Sequence, residues 1–110
     1  MAEERVERRL VAVLAADVVG YSRLMERDEA GTLAALRARR KGVLEPVLAR
    51  HQGRLVRASG DGILTEFASA VSAVSCAVEL QETMHAANAG LPEDQQIIWR
   101  IGISTCTSPC

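Results

Sequence analysis

Aromatic side chains are scarce in this chain. They make up 3% of 110 residues, with one Trp, one Tyr and one Phe. Any core must therefore be aliphatic. No long apolar run is present either. The longest, Leu10-Val11-Ala12-Val13-Leu14-Ala15-Ala16, is too short to span a bilayer, so no transmembrane segment is expected. The N-terminus, Met1-Ala2-Glu3-Glu4-Arg5, carries acids where a signal peptide would carry only basic residues, which points to the cytoplasm. Charge of one sign is absent too. With 13 Lys and Arg against 14 Asp and Glu the net charge is −1, which argues against a nucleic-acid binder held by bulk electrostatics. The cysteines, Cys76, Cys106 and Cys110, are odd in number, and Cys76 falls on an apolar helix face, so a disulfide framework is disfavoured. Cys106 and Cys110 form only a C-x₃-C pair without a partner, a weak metal signal. His51 and His85 show no ligand spacing. There is no internal repeat and no low-complexity segment.

What is present reads as one soluble globular domain, with 48% hydrophobic and 25% charged residues. Residues 1–9 form a charged leader. The run 10–16 has no polar alternation and predicts a central strand buried on both faces. From Ser22 to about Arg50 the pattern is helical, in two pieces broken near Asp28. Leu33, Leu36, Val43, Leu44, Val47 and Leu48 recur at helical spacing, opposite Arg37, Arg39, Arg40 and Lys41. That basic cluster suits an anion or a membrane surface, but reads better as a solvated face. Pro46 is expected to kink the helix, and Gly53 to stop it. Residues 54–58 and 63–67 flank a turn with two glycines, a hairpin signal. Ser69 can cap a second helix to about Ala89, with Val71, Val74, Ala77, Val78 and Met84 inward. Residues 97–103 alternate like a strand, with Trp99 packing in a sheet or at a dimer contact. The order strand, helix, strand, strand, helix, strand predicts an α+β fold, a ferredoxin-like split βαβ sheet.

Two aspartates stand out on this frame. Asp17 closes the first apolar run, and Asp61 sits in the turn Ser59-Gly60-Asp61-Gly62. In a split βαβ sheet the first and third strands are antiparallel neighbours, so the end of one meets the start of the other. A carboxylate beside buried apolar surface costs free energy unless a cation or donor compensates it. Two of them together suit a divalent-metal site, and the adjacent glycine turn suggests phosphate chemistry. The plainer readings are a helix N-cap for Asp17 and turn chemistry for Asp61. Backbone amides from Val18 to Tyr21, at a helix start, are candidate phosphate donors, with Gly20 permitting close approach.

Ala15-Ala16-Asp17-Val18-Val19-Gly20-Tyr21-Ser22 resembles the first metal-binding motif of class III nucleotidyl cyclases, and Gly53-Arg54-Leu55-Val56-Arg57-Ala58-Ser59-Gly60-Asp61-Gly62 resembles their second. The likeness runs over residues 10–104 and is nearest the bacterial adenylate cyclase branch. It implies that Asp17 and Asp61 are catalytic, and that with the carbonyl of Val18 they hold two Mg²⁺ or Mn²⁺ ions. It gives substrate-binding roles to Val19, Gly20, Tyr21, Arg57 and Gly60. It further implies attack of a ribose 3′-hydroxyl on the α-phosphorus of ATP, release of pyrophosphate, and a homodimer whose sites draw on both protomers.

Two departures qualify that implication. Arg57 stands four residues before Asp61, where adenylate-specific members carry Lys. A guanidinium is not interchangeable with an ammonium, and adenine N1 and guanine O6 both accept, so GTP is not excluded. Arg57 as a plain surface strand residue stays open. Residues 105–110 form a tail unlike the family. The family's transition-state Asn and Arg lie further along, so the fold is expected to be incomplete and turnover by these 110 residues negligible. The alternative is a non-catalytic nucleotide-binding or dimerisation module of cyclase descent. A diguanylate-cyclase-like transferase lacks its Gly-Gly-Asp/Glu-Glu-Phe signature here.

Overall fold

The computed structural model describes residues 10–107. The charged leader, and residues 108–110 of the tail, lie outside the described residues. Strand β1 (Leu10–Val18) is central in a four-stranded sheet of order β2-β3-β1-β4, with β2 at Arg54–Ser59, β3 at Gly62–Phe67 and β4 at Trp99–Thr107. Every pairing is antiparallel. This is the split βαβ arrangement that the element order predicts.

β1 is buried on one face, not two. Ala12, Leu14, Ala16 and Val18 are buried, whereas Ala15 is exposed and Val13 and Asp17 are half-buried. All the helices pack on one side, so alternate residues of β1 line an open face. The small alanines that made the run look uniformly apolar tolerate that exposure. Thr65, buried on β3, donates its hydroxyl to the Leu14 carbonyl at 3.3 Å, which removes the cost of an unpaired polar group in the core.

The first helical region breaks at Asp28, as expected. Helix α1 (Tyr21–Arg27) ends there, and the Asp28 carboxylate accepts from the Gly31 amide at 3.0 Å to cap α2 (Glu29–Arg39). A π-helical turn, Arg40–Leu44, then leads into α3 (Glu45–Arg50). Glu45 donates to the Arg40 carbonyl there, one residue wider than an α-turn. Pro46 lies in the first turn of α3, where its missing N–H costs least. Leu33 is exposed rather than inward, and Arg39 is half-buried rather than solvated.

Helix α4 (Ala70–Asn88) begins at Ser69, whose hydroxyl accepts from the Ser72 amide at 3.0 Å. Its inward stripe is Ala73, Cys76, Leu80, Met84 and Asn88. Of the expected inward residues only Met84 is buried, with Ala77 packed at the margin. Val71, Val74 and Val78 are 76%, 50% and 52% exposed. α4 has two apolar stripes, and the one through Ala73, Cys76, Leu80 and Met84 is the one that docks. Cys76 is a free, buried thiol, and burial pushes its pKa up to about 11. Strand β4 starts later than the alternation suggested and runs through Thr107, past the expected boundary at Ser104. Trp99 is buried in the sheet opposite Val18.

Candidate functional site

The site forms where β1 ends. Asp61, in the β2–β3 turn, accepts the backbone N–H of Val18 on Oδ2 at 3.1 Å. The carboxylate therefore reaches across to the residue next to Asp17 instead of closing its own turn. Gly60 makes this geometry possible by taking φ +57°, a conformation that side chains rarely adopt. Asp17 is not a helix cap. Gly20 holds the N-cap position of α1, at φ +69°, without any side-chain cap.

Asp17 faces the open side of the sheet. Opposite it in register stands Arg100 on β4. The Arg100 guanidinium donates to both carboxylate oxygens, Nε to Oδ1 at 3.0 Å and a terminal nitrogen to Oδ2 at 3.1 Å. These bonds, then the charge of Asp17, hold Arg100 above its ordinary pKa against an opposing desolvation, with the charge of Asp61 adding least. Arg100 thus feels both aspartates. Sequence reading missed it, although the alternation that buries Trp99 and half-buries Ile101 necessarily turns Arg100 to the other face.

An open groove of about 540 Å³ contains Asp17, Arg57, Ser59, Leu64, Arg100 and Gly102. Its size suits a small ligand, for which pockets run to several hundred Å³. Arg57 lies within it, opposite Leu64 in register, past an irregularity between Leu55 and Arg57. Asp61 and Gly60 line a separate hollow of about 170 Å³, together with Arg37, Arg40 and Trp99. Asp61 therefore bonds the backbone next to Asp17, while the two carboxylates line different hollows.

Two of the four candidate phosphate-binding amides are already engaged. Val18 N–H goes to Asp61, and Val19 N–H goes to the Ile98 carbonyl at 2.8 Å. Gly20 and Tyr21, at the helix start, are the amides left for an anion. Among the described residues no cluster of three or more His, Cys, Asp or Glu could hold a metal. The available donors are two carboxylates and a carbonyl, hard oxygen ligands. That set fits Mg²⁺ or Mn²⁺, which take one or two carboxylates and complete their shell with phosphate and water.

No protein-family model matches the chain. The protein named "Putative adenylate cyclase 3" of Rhizobium meliloti (strain 1021) is 59% identical over 104 residues, covering 94% of this chain and 18% of that protein. Among solved structures, the adenylate/guanylate cyclase/hydrolase of Silicibacter pomeroyi is 42% identical with a TM-score of 0.83, covering 92% of this chain and 59% of that one. The guanylyl cyclase Cya2 is 25% identical with a TM-score of 0.76, over 92% and 56% respectively. The chain thus spans a minor part of the curated relative and little more than half of the solved domains. Sequence and fold agree: the chain belongs to the class III adenylate/guanylate cyclase catalytic-domain family.

Proposed function

We propose that this chain is part of an adenylate cyclase catalytic domain that forms cyclic AMP and pyrophosphate from ATP in cyclic nucleotide signalling. The observation that carries this reading is the Asp61 carboxylate bonded to the backbone of Val18, next to Asp17 in β1, beside a groove bearing Asp17, Arg57 and Arg100. Asp17, Asp61 and the Val18 carbonyl are the proposed ligands of two Mg²⁺ or Mn²⁺ ions. When bound, such ions activate a hydroxyl nucleophile and neutralise developing phosphate charge. Asp61 is held by Val18 through Oδ2, so its other oxygen stays available as a ligand. The amides of Gly20 and Tyr21 receive phosphate oxygens, and Arg57 donates to the purine. ATP is the proposed substrate, and Arg57 also admits GTP. Cytoplasmic residence and a homodimer with shared sites belong to the same proposal.

Among the described residues no helix is long and apolar enough to cross a membrane. The 110-residue segment alone is proposed to bind metal and nucleotide with negligible turnover. Positioned arginine on developing phosphoryl charge is worth roughly 10³ to 10⁵ in rate. The second reading, a non-catalytic nucleotide-binding or dimerisation module, is favoured by Arg57 in place of Lys. Calorimetry with Mn²⁺ and a non-cyclisable ATP analogue tests both. Binding that needs the metal and is lost in Asp61→Ala supports the nucleotide site. Robust cyclic AMP formation by the segment would refute its inactivity.

A further inference from the structure

We propose that Asn88 and Gln81, two side-chain amides on α4, are positioning residues for the turn whose Gly20 and Tyr21 amides face the nucleotide. The inference rests on the nucleotide reading above. Between β1 and α1 the chain has few anchors. Val19 is 48% exposed, so packing does not fix it. Its amide donates to the Ile98 carbonyl at 2.8 Å, one step beyond the last β1–β4 register pair of Val18 with Trp99. The chain then reverses through Gly20, at φ +69°, into α1.

Ile98 is itself 50% exposed, so its place is set by its neighbours, Ile97 and Trp99, which are both buried. The buried Asn88 side chain pairs reciprocally with the backbone of Ile97. Its Nδ2 donates to the Ile97 carbonyl at 2.8 Å, and its Oδ1 accepts from the Ile97 amide at 3.1 Å. Gln81 Nε2 donates to the Trp99 carbonyl at 2.9 Å. Two side chains of one helix thus grip the backbone on either side of the carbonyl that anchors Val19. A carboxamide carries a donor and an acceptor side by side, as a peptide group does, so Asn88 acts here as a neighbouring strand would. Asp would accept without donating, and an apolar residue would leave buried backbone groups of Ile97 unpaired. The result is a continuous hydrogen-bonded path from α4 to the turn, the kind of contiguous network through which displacements are coupled.

The test compares Asn88→Ala and Gln81→Met in the 110-residue chain, with Leu80→Val as a control that loosens α4 without touching these bonds. Amide hydrogen exchange, read by NMR, is followed at Val19 and in the β1–β3 ladder. Both variants are expected to speed exchange at Val19 roughly 3- to 10-fold relative to the ladder, about the worth of one hydrogen bond. Leu80→Val is expected to leave that ratio unchanged, since a general loss of stability does not act on Val19 selectively. Calorimetry with Mn²⁺ and a non-cyclisable ATP analogue is expected to show binding weakened roughly 3- to 10-fold in both variants and unchanged in the control. Gln81 is exposed, so its variant carries the test should Asn88→Ala fail to fold. Val19 exchange that merely follows the ladder in both variants overturns the grip. Faster exchange at Val19 with parental binding overturns the positioning role and leaves the nucleotide site standing. A parent chain that binds no analogue overturns the nucleotide reading itself, and this role with it.

Discussion

Gly53 shows how one residue can be required for a reason its local sequence hides. It looks like a helix stop, but the positive φ after α3 belongs to Gln52, at +59°. Gly53 closes the turn with its amide, which donates to the Leu48 carbonyl at 2.9 Å. What the position excludes is a Cβ, which would lie 2.7 Å from the ring of Phe67 and 3.1 Å from Leu48. Phe67 is fully buried and has nowhere to go. Gly53→Ala is therefore expected to cost about 1–3 kcal/mol, the usual range for overpacking, measured by urea unfolding. Glu79 is a second such residue. It accepts from Arg50 Nε at 2.8 Å and meets His51 Nε2 at 2.7 Å, tying α4 to the end of α3. The hydrogen bond from Arg50, then that from His51, hold its carboxyl below the ordinary value of 4.5. A lowered folded-state pKa stabilises the fold above the unfolded value and loses that contribution as pH falls through the folded one. Glu79→Gln is expected to lower the urea midpoint at neutral pH, with the difference shrinking once pH drops below 4.5. A gap unchanged in acid would rule out the charge as its source.

Helix α4 is where element-level reasoning and structure part most clearly. Valines at 71, 74 and 78 and the stripe 73, 76, 80 and 84 both have helical spacing. Periodicity detects that an apolar stripe exists; with two present it does not say which one docks. The contact surface decides, and here Ala73, Cys76, Leu80 and Met84 are buried while the three valines stay exposed. Leu80→Ala is expected to cost about 2–5 kcal/mol as a buried large-to-small change. Val74→Ala, on the exposed stripe, is expected to stay within about 0.5 kcal/mol. Thermal unfolding of the two variants in parallel checks the contrast, and equal losses would mean that the valine stripe is covered in solution. The π-turn before α3 is a further feature of this scale. It appears where Arg40–Leu44 must deliver Val43 and Leu44 to the core just ahead of a proline.

At the scale of the molecule, a site divided between β1, the β2–β3 turn and β4 makes ligand binding a contribution to folding. Mn²⁺ with an ATP analogue at 100 times its dissociation constant is expected to add about 2.7 kcal/mol. For a domain this size that is roughly 10–20 °C in melting temperature. The shift is expected to disappear in Asp61→Ala, measured by scanning calorimetry with and without metal. The order of elements, the hairpin, the break near Asp28, the cap at Ser69, and the placement of Asp61 at the end of β1 were all determined by sequence alone. These follow from local periodicity, turn chemistry and the few ways such an order can be wound into a sheet. Other features were decided only by tertiary structure. They are the open face of β1, the docking stripe of α4, the engagement of the Val19 amide by Ile98, and the pairing of Asp17 with Arg100. Each of these depends on which surfaces and strand edges come together across long stretches of chain. Side-chain spacing carries no record of that choice, because packing selects among patterns that are equally regular along the sequence.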